Sequence, residues 1–415
     1  MGTISKSFAL VLVALFLTSL PLMPHATVKA QSKTIDVPDD YPTIQSAIGN
    51  SSTGDTIFVR AGNYSVLGYD GILIDKSISL VGENSQNTVI TVGQYRYARD
   101  AIHITADNVT VSGFYVDGGG IQMGIDVEDS YSHVPIGCKI ISNSIHNCGV
   151  AIDAYGSTST LTGQIKYLPS YLTISGNILS GNDRGIYMSA SNSTVGGNII
   201  DSNRDLGMIV DDCVFLNVYN NTISNNGLDP YDGNGTGGGI WLRWWGPFYI
   251  NRNIITGNHG YGIGFEEFCN NSTVWGNEIS NNDFGIREYL VQDGGSGNVV
   301  YENNFIDNQR QVAVNQTLYS AVKVSQVDVV ALDNGKVGNY WSDYKGSGVY
   351  MVDENNIDNH PLTQKVDIST LELTPTPSVP EFPALAIQLL LIPMVFVGLM
   401  VYFKKHKRVK LDEHQ

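Results

Sequence analysis

Asp211, Arg243 and Glu266 each stand four residues after a glycine that recurs along the chain, at Gly207, Gly239 and Gly262. A strand of alternating residues follows each of these glycines, as in Gly185-Ile-Tyr-Met188 and Gly207-Met-Ile-Val210. Successive strand residues point to opposite faces, so positions one and three after the glycine point inward and two and four outward. Position four then reads Glu128, Asp153, Ser189, Asp211, Arg243, Glu266 and Tyr289; position two reads Asp126, Ala151, Tyr187, Ile209, Trp241, Gly264 and Arg287. Asp212, Trp244, Trp245 and Glu267 flank this face.

Carboxylates around one arginine, with rings beside them, make the composition of a sugar groove. Aromatic faces stack on the apolar sides of pyranose rings, and carboxylates accept hydrogen bonds from their hydroxyls. Tyr187, Asp212, Trp241, Trp244, Trp245 and Glu267 are the candidate binding residues. If Asp211 and Glu266 are two coils apart, their backbones are about 10 Å apart. Their carboxyl groups can then approach the roughly 6.5–9.5 Å separation of inverting glycosidases. The same column also reads as a solvated face on which Arg243 merely neutralises its neighbours, a weak pairing. The favoured expectation is a carbohydrate- or surface-binding or structural module. The alternative is a polysaccharide lyase or glycoside hydrolase using Asp211, Arg243 and Glu266. No cofactor is expected, apart from Ca²⁺ in the lyase case.

A repeat must position these residues. A unit opening on Asn and an apolar pair recurs as Asn143-Ser-Ile145, Asn177-Ile-Leu179, Asn198-Ile-Ile200, Asn221-Thr-Ile223, Asn253-Ile-Ile255, Asn277-Glu-Ile279 and Asn304-Phe-Ile306. The corner glycine and its strand follow, and a third strand closes the unit, as in Leu172-Thr-Ile174, Ser193-Thr-Val195 and Phe248-Tyr-Ile250. Three short alternating strands per twenty-odd residues describe an all-β solenoid, a right-handed parallel β-helix whose coils stack at about 4.8 Å. One coil cannot bury its own apolar residues; its neighbours supply the missing walls. The repeated Asn is expected to form a side-chain ladder at a turn. Ile44, Ala47 and Ile48 share one helical face, so a short amphipathic helix is expected to cap the first coil.

The ends differ from the body. Residues 1–30 carry Lys6 and a short apolar run, the form of a cleaved signal peptide. The β-helix is expected over 31–370, a Pro/Thr-rich stalk over 371–383, a transmembrane segment over 384–403 and a basic cytoplasmic tail over 404–415. That topology places the body on the outer face of the cell membrane. Pro380-Glu-Phe-Pro383 before the apolar segment resembles the PEF-type sorting signals of archaeal surface proteins, which implies a sorting transpeptidase as a partner and removal of the segment. With a net charge of −16 and only 15% charged residues, the chain lacks the basic patch that nucleic acid demands. A polysaccharide or cell-surface glycan is the expected partner, with the membrane met through the C-terminal segment.

Tyr41-Pro-Thr-Ile-Gln-Ser-Ala-Ile48, Gly54-Asp-Thr-Ile-Phe-Val59, Ala61-Gly-Asn-Tyr64, the repeats and Gly338-Asn-Tyr-Trp-Ser-Asp-Tyr344 together resemble the NosD-like group of β-helix proteins, within the pectate-lyase-like superfamily. The likeness spans about residues 34 to 365 and implies a terminal cap bearing Trp341. Members often carry an acidic loop after that cap; here Tyr350-Met-Val-Asp-Glu354 replaces most of it, and no cation site is carried over. The name-giving relative delivers copper. His103, His133, His146, His259 and His360 are scattered, with no Cys or Met clustered beside them, so copper delivery is disfavoured and no metal ligands are assigned. In lyases built on this architecture an arginine takes the proton beside a carboxylate. Cys213 and Cys269 are expected two coils apart and unpaired, Cys138 and Cys148 are open to bridging, and free buried cysteine is the alternative for all four. Asn63, Asn108, Asn192, Asn220, Asn234 and Asn315 are candidate glycosylation sites.

Overall fold

Strands of three to six residues, with Ile, Val or Leu at alternate positions, cannot bury their apolar side without a partner above and below. In this protein they find it by parallel pairing in register from coil to coil. The computed structural model describes residues 32–66, 68–92, 99–128, 133–155, 168–228, 237–266, 269–289, 297–315, 330–353 and 356–371. The chain divides into two compact units, Met1–Lys365 and Val366–Gln415. The first is a parallel β-helix. Of the second only 366–371 are described, a turn in which the Thr370 N–H reaches the Asp367 carbonyl at 3.2 Å. The residues expected to form a signal peptide, a membrane segment and a basic tail, and those of the expected stalk beyond Leu371, lie outside the described residues. Among the described residues no helix is long and apolar enough to cross a membrane.

One face of the solenoid is an 11-stranded parallel sheet running from Thr34–Val37 to Val299–Tyr301. A second face runs from Gly62–Val66 to Tyr340–Trp341, and a third from Ile72–Ile74 to Arg310–Asn315. Tyr115–Val127 and Ser144–Tyr155 bend round the corner and belong to both. On the third face Ile102, Ile125, Ile152, Ile186, Met208, Ile240, Ile263, Ile286 and Val312 stack in register, all buried. The expected helix is present at Ile44–Gly49, with Thr43 as its N-cap and Ile44, Ala47 and Ile48 buried against the first coil.

The Asn ladder is continuous. Each Nδ2 donates to the Oδ1 of the next, from Asn143 to Asn177, Asn198, Asn221, Asn253, Asn277, Asn303 and Asn339, at 2.9–3.2 Å. The last repeat is shifted by one from the sequence reading, because Asn303 holds the ladder while Asn304 pairs with Glu278 in the strand. A second ladder links Asn182, Asn203, Asn226, Asn258, Asn282 and Asn308 at 2.9–3.1 Å. Both satisfy main-chain carbonyls at the bends, each bond contributing about 1 kcal/mol net and costing more than that if broken while buried.

The corner glycines are fixed by close approach of the next coil rather than by a left-handed backbone. A Cβ on Gly239 would lie 2.5 Å from the Gly262 carbonyl oxygen, and one on Gly262 2.8 Å from that of Gly285. At the C-terminal end Trp341 stacks between Phe305 and Tyr350, each ring centroid 4.3 Å away, and its Nε1–H donates to Asp358 Oδ2 at 2.8 Å. This closes the last coil as the resemblance implied. All four cysteines are free and buried; Cys213 and Cys269 flank Trp245 in register, two coils apart.

Candidate functional site

The outward column of the third face reads His103, Asp126, Asp153, Tyr187, Ile209, Trp241, Gly264, Arg287 in register. Asp153 therefore stands beside Asp126 and Tyr187, not in the column of Asp211, and Tyr155 takes the place beside Ser189. The sequence reading is out by two residues in this coil. The corner position is held by Ala151, fully buried, and Gly149 precedes it as a decoy. From Tyr187 onward the expected register holds, with Asp211 paired to Arg243 and Glu266 following Phe265, the partner of Leu242.

Two regions result. In the first, an aromatic patch, the Tyr187 hydroxyl donates to Asp211 Oδ2 at 3.1 Å, and burial together with Asp211 raises the phenol's pKa. Tyr155 packs on Tyr187 with centroids 5.0 Å apart. Ile209 is buried between Tyr187 and Trp241 in a small outward cluster with Leu206 and Tyr261. Arg243 lies over Trp241, its Cζ 4.7 Å from the ring centroid, and its Nε is 3.1 Å from Glu266 Oε2.

Trp244 and Trp245 follow with φ of 50° and 72°. Bulky residues rarely enter this left-handed region, and each instance costs about 1–3 kcal/mol. The consequence is a reversal of side-chain direction. Cys213 and Cys269, beside Trp245 in register, are buried, whereas Trp245 is 61% exposed. Asp212 is half-buried at the matching position one coil earlier, with φ of 55°.

The second region is an acidic pocket toward the N-terminal end of the same face. Asp100, Asp126 and Asp153 are buried there at 0%, 1% and 6% exposure, with Glu128 at their rim. Arg99 bonds all but one of them: its Nε donates to Asp100 at 3.1 Å, and one terminal nitrogen donates to Asp126 and, at 3.1 Å, to Glu128. Burial holds the Asp100, Asp126 and Asp153 carboxyls above the usual range. Mutual repulsion adds to it, while Arg99 opposes it. Asp70, Asp100 and His103 each offer one ligating atom, and these atoms lie within 4.8 Å of one another.

The structure thus brings together Tyr187, Asp211, Trp241, Arg243 and Glu266, with Trp244, Trp245 and Asp212 beside them. Glu267 and Asn234 lie outside the described residues. Asn63, Asn108 and Asn220 are exposed, Asn192 is half-buried, and Asn315 ends a strand. Sequence reasoning missed Asp70, Arg99 and Asp100, and it passed over His103 as scattered. The signal was there in Arg99-Asp-Ala-Ile-His103, where Ala101 holds the corner that glycine holds later.

Copper can be tested against these donors. Cu(I) takes thiolate and thioether ligands, and among the described residues no cysteine belongs to a ligating group. Two carboxylates and an imidazole do suit Cu(II), so Asp70, Asp100 and His103 would hold copper only in that state.

No curated protein matches the chain. Among solved structures it is similar to an alginate lyase from Paenibacillus sp. str. FPU-7, at 16% identity over 68% of this chain and 99% of that one, with a TM-score of 0.48. It is also similar to pectate lyase Pel9A, at 14% identity over 74% of this chain and 88% of that one, with a TM-score of 0.40. A third is the A-module of mannuronan C-5 epimerase AlgE4 of Azotobacter vinelandii, at 16% identity over 65% and 92%, with a TM-score of 0.37. Likenesses this distant carry no argument about activity. The family model described as periplasmic copper-binding protein (NosD) matches residues 48–346, most of the solenoid from capping helix to terminal cap, and the chain belongs to the NosD family of parallel β-helix proteins.

Proposed function

We propose that the aromatic patch binds a polysaccharide on the outer side of the cell. The observation that carries the reading is Trp245, held out at 61% exposure by a left-handed backbone between two buried in-register cysteines. A strained residue that exposes a large ring gains nothing for the fold, and such strain gathers at ligand clamps. Trp241 and Tyr187 continue the apolar surface. Arg243, Glu266, Asp211 and Asp212 line it with donors and acceptors for sugar hydroxyls, the mix of apolar platform and few polar groups that ligand sites use. The family's periplasmic description and the export signal expected from the sequence agree with that location.

Glycan-array screening followed by calorimetry on the best ligand tests this. Trp245→Ala is expected to weaken binding about tenfold, the equivalent of one stacked ring at about 1.4 kcal/mol. An array without hits, or binding unchanged in both Trp245→Ala and Trp241→Ala, would sink the reading. Release of shortened chains that stops in Arg243→Ala would replace it with the lyase or hydrolase alternative.

A further inference from the structure

We propose that Asp70, Asp100 and His103 form a binding site for a divalent cation of the Zn²⁺ and Cu²⁺ class, at the N-terminal end of the outward face. Asp100 is fully buried. Arg99 satisfies its Oδ1 at 3.1 Å, whereas its Oδ2 is buried with no hydrogen-bond partner among the described residues. One terminal nitrogen of Arg99 is spent on Asp126 and Glu128, its Nε is spent on Oδ1, and no bond from the guanidinium reaches this oxygen.

His103 supplies an independent observation. Its Nε2 lies 2.8 Å from the Glu128 carbonyl oxygen, which only accepts, so Nε2 carries the proton. In the neutral ring the lone pair is then on Nδ1, and a carbonyl fixing the tautomer in this way is the usual support of a metal-binding imidazole. Nδ1 is itself buried without a hydrogen-bond partner, 3.4 Å from Asp100 Oδ2 and 3.9 Å from Asp70 Oδ1. Three acceptor atoms therefore converge with no donor between them among the described residues.

A proton on Nδ1, a proton on the Asp100 carboxyl or a metal ion would relieve that convergence, and the distances favour the metal. The 3.4 Å separation of Nδ1 and Oδ2 is longer than an ordinary N–H···O bond. It equals the spacing of two ligands at about 2.1 Å from a tetrahedral ion, roughly 3.4 Å. Asp70, about half exposed, closes the third position by a small rotation. One imidazole and two carboxylates select a borderline ion over Ca²⁺, which takes six or more oxygens, and over Cu(I), which takes sulfur. Three protein ligands leave a fourth position open to water or ligand.

Calorimetric titration of the chelator-treated full chain at pH 7 with Zn²⁺, Cu²⁺ and Ca²⁺ tests the site. The expected result is one Zn²⁺ or Cu²⁺ per chain, with a dissociation constant of about 10 µM or tighter, and a thermal midpoint raised by the ion. The Cu²⁺ electron paramagnetic resonance spectrum should show a single coordinating nitrogen. His103→Gln should abolish that nitrogen signal, and it and Asp70→Asn should each weaken binding tenfold or more. Asp70→Asn alters a half-exposed side chain, so its circular dichroism should match that of the parent chain. The proposal is overturned by absence of saturable Zn²⁺ and Cu²⁺ binding, by undiminished binding in both variants, or by tighter binding of Ca²⁺.

Discussion

Arg99 and Arg243 stand on the same outward face of one solenoid, and both meet carboxylates, but their surroundings are opposite. Arg99 serves Asp100 and Asp126, which are 0% and 1% exposed, and its own side chain is 24% exposed. Arg243 meets Glu266 with the two side chains 28% and 20% exposed, and its guanidinium also rests on Trp241. In the acidic pocket the arginine offsets buried charge that the fold cannot otherwise hold. In the aromatic patch it lies on a ring where solvent still reaches. Identical in-register scaffolding thus yields one region whose charges hold it together and another whose charges face outward, and burial alone separates them.

Removal of Arg99 should have the largest effect. Arg99→Ala leaves Asp100, Asp126 and Glu128 without their common donor, and breaking a buried pair from one side costs about 3–5 kcal/mol. Discounted for the partial exposure of Arg99, a loss of about 3 kcal/mol is expected in chemical denaturation with chelator present. The loss should grow from pH 5 to pH 8. Without the arginine the folded carboxyls keep their protons to higher pH than the unfolded ones, so rising pH favours unfolding. A loss below 1 kcal/mol at pH 8 would show that the pocket does not depend on Arg99.

The same contrast explains what the sequence could tell. Inward stacks and the first Asn ladder are periodic, and a period survives in one dimension; hence Asn143 to Asn277 fall where the repeat puts them. Asn304 does not, because Asn303 beside it serves the ladder equally well in composition. The second ladder is equally periodic, each Asn from Asn182 to Asn308 standing five residues after a member of the first from Asn177 to Asn303, so the sequence carries it as plainly. At the pocket the corner residues are Ala101 and Ala151, so the glycine marker fails and the acidic column slips out of register. That Asp126 and Asp153 are buried at all depends on neighbours from other coils, which no alternation records. The outward turn of Trp245 rests on a backbone angle, and residue types do not specify it.

Glu288 sharpens the comparison with a buried carboxyl that has no arginine bonded to it. It follows Phe265 in register on the inner side of the third face and is 3% exposed, and neither carboxylate oxygen has a hydrogen-bond partner among the described residues. Burial first, then the charge of Asp353, raises its pKa from 4.5 to about 8. Between those values the folded chain keeps a proton that the unfolded chain has released, so stability falls as pH rises from 4.5 to about 8 and levels off above. Glu288→Gln removes that titration. It should change little at pH 5 and stabilise at pH 8 by about 2 kcal/mol, half of the roughly 4 kcal/mol that the full shift would give, because relaxation and water penetration soften the cost of a buried carboxylate, read as the difference between the two unfolding midpoints. A variant that loses stability equally at both values would show that the parent carboxyl is ionised and paired.

Arg243→Ala should have the smallest effect on the fold. Its partner Glu266 has a side chain 20% exposed, against 0% and 1% for Asp100 and Asp126, and a partly exposed ion pair contributes about 0–1 kcal/mol. The stacking on Trp241 adds about 0.5–1 kcal/mol. The two together predict a loss of about 0.5–2 kcal/mol, smaller than that of Arg99→Ala. Loss of glycan binding alongside so small a loss of stability would place Arg243 in recognition. A loss as large as that of Arg99→Ala would instead make the aromatic patch a second charge-held region and erase the distinction between the two.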